Sequence, residues 1–337
     1  MTKMTFAQAI ESALAQAMEE DENIIIMGED VHTLRRNLFA RFGKQRVRYT
    51  PISESGFVGA AVAAAMAGLR PIAEVMLVDF IAVTMDAILN HAAKIAFFSG
   101  NKWNVPLVIR TACGGGYGDA GQHEQSLWGW LAHIPGISIV VPSNPADAGG
   151  LMLSSIYNDN PVIYFEHKLL ADYWMENMAI GGRATVSFDV PKQGAEGEVP
   201  DRFEPIPLGK LNRIKEGNDI TLISLGVSVH RCMEAASILE GKGISTEVLD
   251  LRTVVPLDIE NIRKSVEKTE VVLVVDEDYK QFGLSGEISA LLLEEGLQFK
   301  YGRVCTENTI PYSLKLELQA LPNTERIVNK VLKILNK

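Results

Sequence analysis

Phe6, Ala9, Ile10, Leu14 and Met18 recur at helical spacing behind Thr5, which predicts an amphipathic N-terminal helix capped by that threonine. The pattern then changes. NIIIMGED is a short unbroken apolar run that stops at Gly28, as a strand buried on both faces would. RVRYTPI predicts a second strand. SGFVGAAVAAAMAGL predicts a buried helix, with Ser53 or Ser55 near its start and Gly68 near its end. RPIAEVML predicts the next strand, and DFIAVTMDAILNHAAKIAFFSG reads as one long helix ending at Gly100. VPLVIRTACG, ISIVVPSN and PVIYFEH predict three more strands, with helices at EQSLWGWLAHI and PADAGGLMLSSIYN.

Residues 181–209 break the rhythm, being rich in Gly, Pro and charge with little periodicity. Beyond them the alternation resumes. Strands are predicted at DITLISLG, ISTEVLDLR, VVLVVDED and YGRVCTEN, and helices at SVHRCMEAASILEGKG, DIENIRKSVEK, SGEISALLLEEG and NTERIVNKVLKILNK. Strand and helix alternate throughout, which predicts an α/β protein of two mostly parallel sheets covered by helices. The expected division is a first domain over residues 1–180, a linker over 181–209 and a second domain over 210–337.

Composition narrows the function. The 337 residues, 47% hydrophobic and 22% charged, supply core for two ordinary domains. A net charge of −10 and the absence of a Lys/Arg-rich run argue against nucleic acid and suit a basic protein partner or no charged partner at all. Cys113, Cys232 and Cys305 stand far apart without zinc-ligand spacing, and the sparse count fits a reducing compartment. The N-terminus does not read as a signal peptide, and the longest apolar run, GAAVAAAMAGL, is too short to span a bilayer. A cytoplasmic protein without a membrane partner is expected.

GYGDAG (116–121) matches GxGxxG after a strand, but the next strand ends VVPSN without the acid a dinucleotide ribose needs. A glycine-rich loop that lets backbone approach a ligand is the better reading, and a nicotinamide oxidoreductase the weaker one. Among the histidines, His32, His91, His133 and His230 are read as structural. His123 follows the glycine-rich loop at the carboxyl end of a strand, where open α/β sheets bind ligands. Glu54 stands in a loop after one strand and before the Ala/Gly helix. A helix dipole would favour it there, but a carboxyl against small buried residues also suits a hydrogen bond to a ring nitrogen of a flat ligand. Phe80 opens the following helix and could stack on such a ring.

GEDV (28–31), TPISESGFVGAAVAAAMAGLRPIAEVMLVDF (50–80), GQHEQS (121–126), IPGISIVVPSNPADAGGLM (134–152), NDNPVIYFEHKLL (158–170) and DLRTVVPLD (250–258) fall in one order. Together they resemble the β subunits of the thiamine-diphosphate-dependent first component of 2-oxo acid dehydrogenase complexes, a group that includes pyruvate, branched-chain 2-oxo acid and acetoin dehydrogenases. The resemblance covers nearly the whole chain. It implies a transketolase-like pyrimidine-binding domain followed by a transketolase C-terminal-like domain, in an α2β2 tetramer with thiamine diphosphate at α–β interfaces.

By that resemblance Glu54 would hydrogen-bond N1′ of the aminopyrimidine, Phe80 would stack on the ring, and Glu29 would be a further cofactor-binding residue. His123 would be the histidine that serves substrate and lipoyl transfer. Asn158 and Asn160 lie in the loop the family associates with a monovalent cation such as K⁺, held by backbone carbonyls. The chain departs from its relatives after GEDVH, where they often carry a glycine-rich insertion and this sequence has TLRRNLFARFG. It also has no GDG followed by an NN pair, the family's signature for Mg²⁺ and diphosphate. The α subunit is therefore expected to hold Mg²⁺ and to complete the site. The other expected partner is the subunit-binding domain of a lipoyl acyltransferase, docking on the second domain. The substrate would be a 2-oxo acid or acetoin. A subunit that has lost its chemistry and serves only as a docking scaffold is the alternative.

Overall fold

A computed structural model describes residues 1–171 and 195–337. The first sheet has seven strands in the order β12-β6-β7-β5-β4-β2-β3. These are β2 (Ile24–Glu29), β3 (Val47–Thr50), β4 (Arg70–Leu77), β5 (Val108–Cys113), β6 (Ser138–Val140), β7 (Val162–His167) and β12 (Thr253–Val255). All neighbours are parallel except β12, which runs antiparallel to β6. The second sheet has the order β14-β13-β10-β11-β9: Lys300–Thr306, Val271–Tyr279, Ile220–Ser224, Thr246–Asp250 and Asn212–Lys215. It is parallel except for β9. The continuous burial of β5, β7, β10 and β11 explains their unbroken apolar runs, since helices cover both faces of such a sheet.

The first helix is Phe6–Glu20, closed by a reciprocal capping box between Thr5 and Gln8. The stretch read as one long helix from residue 79 is instead three pieces. A 3₁₀ helix (Val78–Thr84) passes into a π-helical segment (Asp86–Ala92) and then a single α turn (Ile95–Phe98). Buried residues recur every three positions in the tight part (Val78, Ile81, Thr84) and every four in the wide part (Ile88, Ala92), so changing the winding keeps the apolar stripe aimed at the core.

Residues 181–194 of the expected linker, with the end of the expected first domain, lie outside the described residues. The remainder is not bare chain. β8 (Glu196–Val199) pairs antiparallel with β1 (Thr2–Thr5), and Phe203 is buried in the first domain's core. A single apolar cluster runs from Phe57, Trp128 and Ile139 to Ile223, Leu249 and Leu284, so the two sheets share a core. Among the described residues no single helix is long and apolar enough to cross a membrane.

Candidate active site

Parallel strands end together, and here their ends gather the chemistry. Glu29 closes β2 opposite Thr50 of β3. Glu54 begins the helix Glu54–Met66 that follows β3, Phe80 lies just beyond β4, and His123 ends the 3₁₀ turn Ala120–Gln122 that follows β5. All four sit at the carboxyl edge of the sheet, the edge that binds ligands in open α/β folds.

Burial, then the neighbouring charges of Asp30 and Glu54, raise the Glu29 carboxyl above its ordinary range, so Glu29 and Glu54 share one electrostatic environment. Phe80 and His123 meet edge to face with ring centroids 5.8 Å apart. Lys168 Nζ donates to the His123 carbonyl at 2.7 Å and fixes that backbone. Burial lowers the Lys168 ammonium pKa, against the charges of Glu124, Asp119 and Asp79. Beside Phe80, Asp79 accepts from Gln125 at 2.7 Å through one oxygen, while its other oxygen is buried without a hydrogen-bond partner. An acceptor left over at this edge fits a ligand carrying N–H or O–H donors.

Glu54 is only partly buried, contrary to the burial its apolar helix implied. Ser55, Gly56, Ala60, Ala63 and Met66 present an uncovered face, and nearby Tyr49 and Ile52 are 61% and 75% exposed. Beneath Glu29 lies a charged lattice. Arg35 donates to both oxygens of Glu74 at 2.9 Å, Arg110 reaches Glu74 at 3.1 Å, and Arg110 Nε reaches Glu166 at 2.9 Å. Arg35 lies between the short helices Val31–Leu34 and Arg36–Arg46.

The glycine-rich segment opens no helix. Its glycines take left-handed backbone, with φ of +94° at Gly114 and +121° at Gly116, and press against His167 and Leu169. Asn158 and Asn160 are not at this edge; they precede β7, at the opposite end of the sheet. There the carbonyls of Ile156 and Asn158 accept from Arg70 at 3.0 and 3.3 Å, so a guanidinium already supplies positive charge to that loop.

The sequence reading missed His167, the last residue of β7 and 1% exposed. Leu169 N–H donates to its Nδ1, which leaves the proton on Nε2 to donate to Glu277 at 2.9 Å. Glu277 lies on β13 of the second domain and also accepts from Arg231 at 2.7 Å and Gly115 N–H at 2.9 Å. Against the burial that pushes it up, His167 and Arg231 hold its carboxyl well below the usual carboxylate range. The strand-end argument that singled out His123 applies equally to FEHK and would have found His167.

Comparison with known proteins agrees with this architecture. A family model described as "Transketolase, pyrimidine binding domain" matches residues 2–172, and one described as "Transketolase, C-terminal domain" matches 209–327. The chain is 39% identical to the β subunit of the Bacillus subtilis acetoin:2,6-dichlorophenolindophenol oxidoreductase, covering 98% of this chain and 97% of that one. It is 37% identical to the mitochondrial pyruvate dehydrogenase E1 component subunit beta of Dictyostelium discoideum, over 97% and 90% of the two chains. It is 39% identical to the B. subtilis 2-oxoisovalerate dehydrogenase subunit beta, over 88% and 86%. A solved structure titled "Split gene transketolase, inactive beta4 tetramer" superposes with a TM-score of 0.78 over 99% of this chain and 98% of that one, at 20% identity, a likeness of fold. The chain belongs to the family of E1 β subunits of 2-oxo acid and acetoin dehydrogenases, built from the pyrimidine-binding and C-terminal domains of transketolase.

Proposed function

We propose that this chain is the β half of a cytoplasmic α2β2 enzyme that decarboxylates a 2-oxo acid, or cleaves acetoin, and passes the acyl group reductively to a lipoyl group. The observation that carries the reading is the meeting of Glu29, Glu54, Phe80 and His123 at one sheet edge of a chain from this family. When bound, thiamine diphosphate supplies the carbon nucleophile that attacks the substrate carbonyl. Glu54 holds the pyrimidine nitrogen N1′ and exchanges a proton there. Glu29, with its raised pKa, offers a second carboxyl at the same edge. Phe80 lies against the ring, and its edge-to-face contact orients His123, whose imidazole moves protons at the substrate oxygen.

The uncovered Ala/Gly face beside Glu54, with Tyr49 and Ile52, supports a site finished by an α subunit that brings the Mg²⁺ and diphosphate ligands. Exposed Phe97, Phe98 and Trp103 extend the apolar surface open to a partner. The loop at Asn158 and Asn160 gives no independent support to a K⁺ site, because Arg70 engages two of its carbonyls. The second domain, from residue 210 onward, is the proposed seat of the lipoyl acyltransferase's subunit-binding domain.

Calorimetric titration of thiamine diphosphate and Mg²⁺ tests the reading. The lone chain is expected to give no saturable heat, and the chain reconstituted with a GDG-bearing α subunit to bind tightly. Glu54→Gln in the reconstituted enzyme should lower turnover by roughly 10²- to 10⁴-fold, the usual loss of a general acid or base. Tight magnesium-dependent binding by the lone chain, or full turnover by Glu54→Gln, would overturn it.

A further inference from the structure

Acids of the second domain grip the loop that carries His123. Gly115 N–H donates to Glu277, Gly116 N–H to Glu317 at 2.6 Å, Gly129 N–H to Asp278 at 2.7 Å, and Trp128 Nε1 to Asp276 at 2.9 Å. One acid of the loop itself answers them. Glu124, next to His123, accepts from Tyr117 N–H at 2.7 Å.

Glu124 and Glu317 are both fully buried, and their Oε1 atoms take the N–H groups of two adjacent residues, Tyr117 and Gly116, which sets the carboxyls side by side. Each has a buried Oε2 that no N–H or O–H donor reaches. Two carboxylate oxygens cannot bond without a hydrogen between them; with one proton, contact becomes attraction.

We propose that Glu124 and Glu317 share a single proton, and that this pair is the positioning device by which the second domain sets the place of His123. The proposal rests on the reading of His123 as the residue that serves the substrate. Glu317 sits on the helix Leu314–Ala320, so the pair ties that helix to residues 116–124 across the domain boundary.

The surrounding charges fit one negative charge and not two. Lys168 Nζ lies 4.0 Å from Glu124 Oε1 and faces Asp119 and Asp79 as well. Glu277 also faces Glu317, but the Arg231 guanidinium balances its charge. Burial, then the contact with Glu124, pushes the Glu317 carboxyl up to about 8. The folded chain therefore keeps this proton to a higher pH than the unfolded chain. Its contribution is complete below about pH 4.5 and is lost as pH rises through about 8. Above that, two adjacent anions push the helix and the loop apart.

The test uses the full-length chain with glutamate carboxyl carbons labelled with ¹³C and followed by NMR from pH 6 to 10. One carboxyl resonance is expected to titrate near pH 8 in the wild type and to be missing from both Glu124→Gln and Glu317→Gln. No glutamate titrating above pH 7, or survival of that resonance in Glu317→Gln, overturns the shared proton. In the enzyme reconstituted with its α subunit, Glu317→Ala should lose about 10- to 100-fold in kcat with little change in KM, as expected for a misplaced catalytic group. Glu317→Gln should recover most of that loss, because an amide can both accept from Gly116 and donate to Glu124, and should move the alkaline limb of the pH profile upward. An unmoved limb, or equal activity of the Ala and Gln variants, overturns the positioning role. Failure of the underlying reading shows separately, as full activity of His123→Ala, whatever the carboxyl signal does.

Discussion

Gly114→Ala should be among the most damaging single-methyl changes available to this chain. A Cβ at Gly114 would stand 2.1 Å from His167 Nε2 and within 2.5 Å of two ring carbons. His167 is fully enclosed, and its ring would have to retreat by roughly 1 Å or more to restore contact. That movement breaks the Nε2–Glu277 bond, and a buried hydrogen bond to a charged group contributes about 1.5–3 kcal/mol. The left-handed backbone at Gly114 adds about 1–2 kcal/mol for any side chain. The total is about 3–5 kcal/mol. Gly68 is the matched control, because its φ of +97° is nearly that of Gly114 yet nothing lies within 4 Å of its would-be Cβ. Gly68→Ala should therefore show the backbone cost alone. With an m value near 3 kcal/mol/M, the urea midpoint of the full-length chain should fall by roughly 1–2 M for Gly114→Ala and by about 0.5 M for Gly68→Ala. Equal shifts in the two variants would refute the collision with His167.

Two further substitutions test the charged lattices. Glu277→Gln should cost about 3–5 kcal/mol at pH 7.5 by removing a buried carboxylate that accepts from Arg231 and His167. Because the folded-state pKa of Glu277 is well depressed, that stabilisation is complete above about pH 4.5 and is lost progressively as pH falls below it toward the folded-state value, so the gap between the urea midpoints of wild type and variant should hold from pH 7.5 to about 5 and narrow steadily below that; a gap that stays constant down to the lowest pH at which the chain folds would contradict the assignment. Arg35→Met should lower the melting temperature by removing the two-pronged contact to Glu74, and Arg35→Lys should restore little, since an ammonium lacks the guanidinium's fork. Full recovery with lysine would show that charge alone matters there.

Much of the fold was legible because buried parallel strands write themselves as unbroken apolar runs, as at Ile24–Glu29 and Val162–His167. Strand ends pointed to His123, and Glu54 and Phe80 were each read as following a strand, without any contact information. What stayed hidden depends on distant partners. Nothing local in Thr2–Thr5 or Glu196–Val199 announces that they pair, and Thr253–Val255, between a predicted strand and a predicted helix of the second domain, joins the first domain's sheet. Residues 79–100 have the composition of one helix, and only the spacing of their buried positions betrays the change of winding. The grip of the second domain on residues 114–129 was equally unreadable, since its acids lie from 148 to 201 positions away in the chain.

The placement of β12 bears on what happens when the gene is cut. β6 is three residues long and is closed on one side by β7 and on the other by β12, which is covalently part of the downstream half. A fragment ending near Gly209 would leave β6 with a bare row of N–H and C=O groups on a short rim next to apolar Ile139 and Val140. Such a rim recruits another strand, and the nearest source is a second copy of the same fragment. The excised pyrimidine-binding half should therefore sediment as aggregates at concentrations where the intact chain stays dispersed, so the downstream half acts as a built-in guard on the upstream half's open rim.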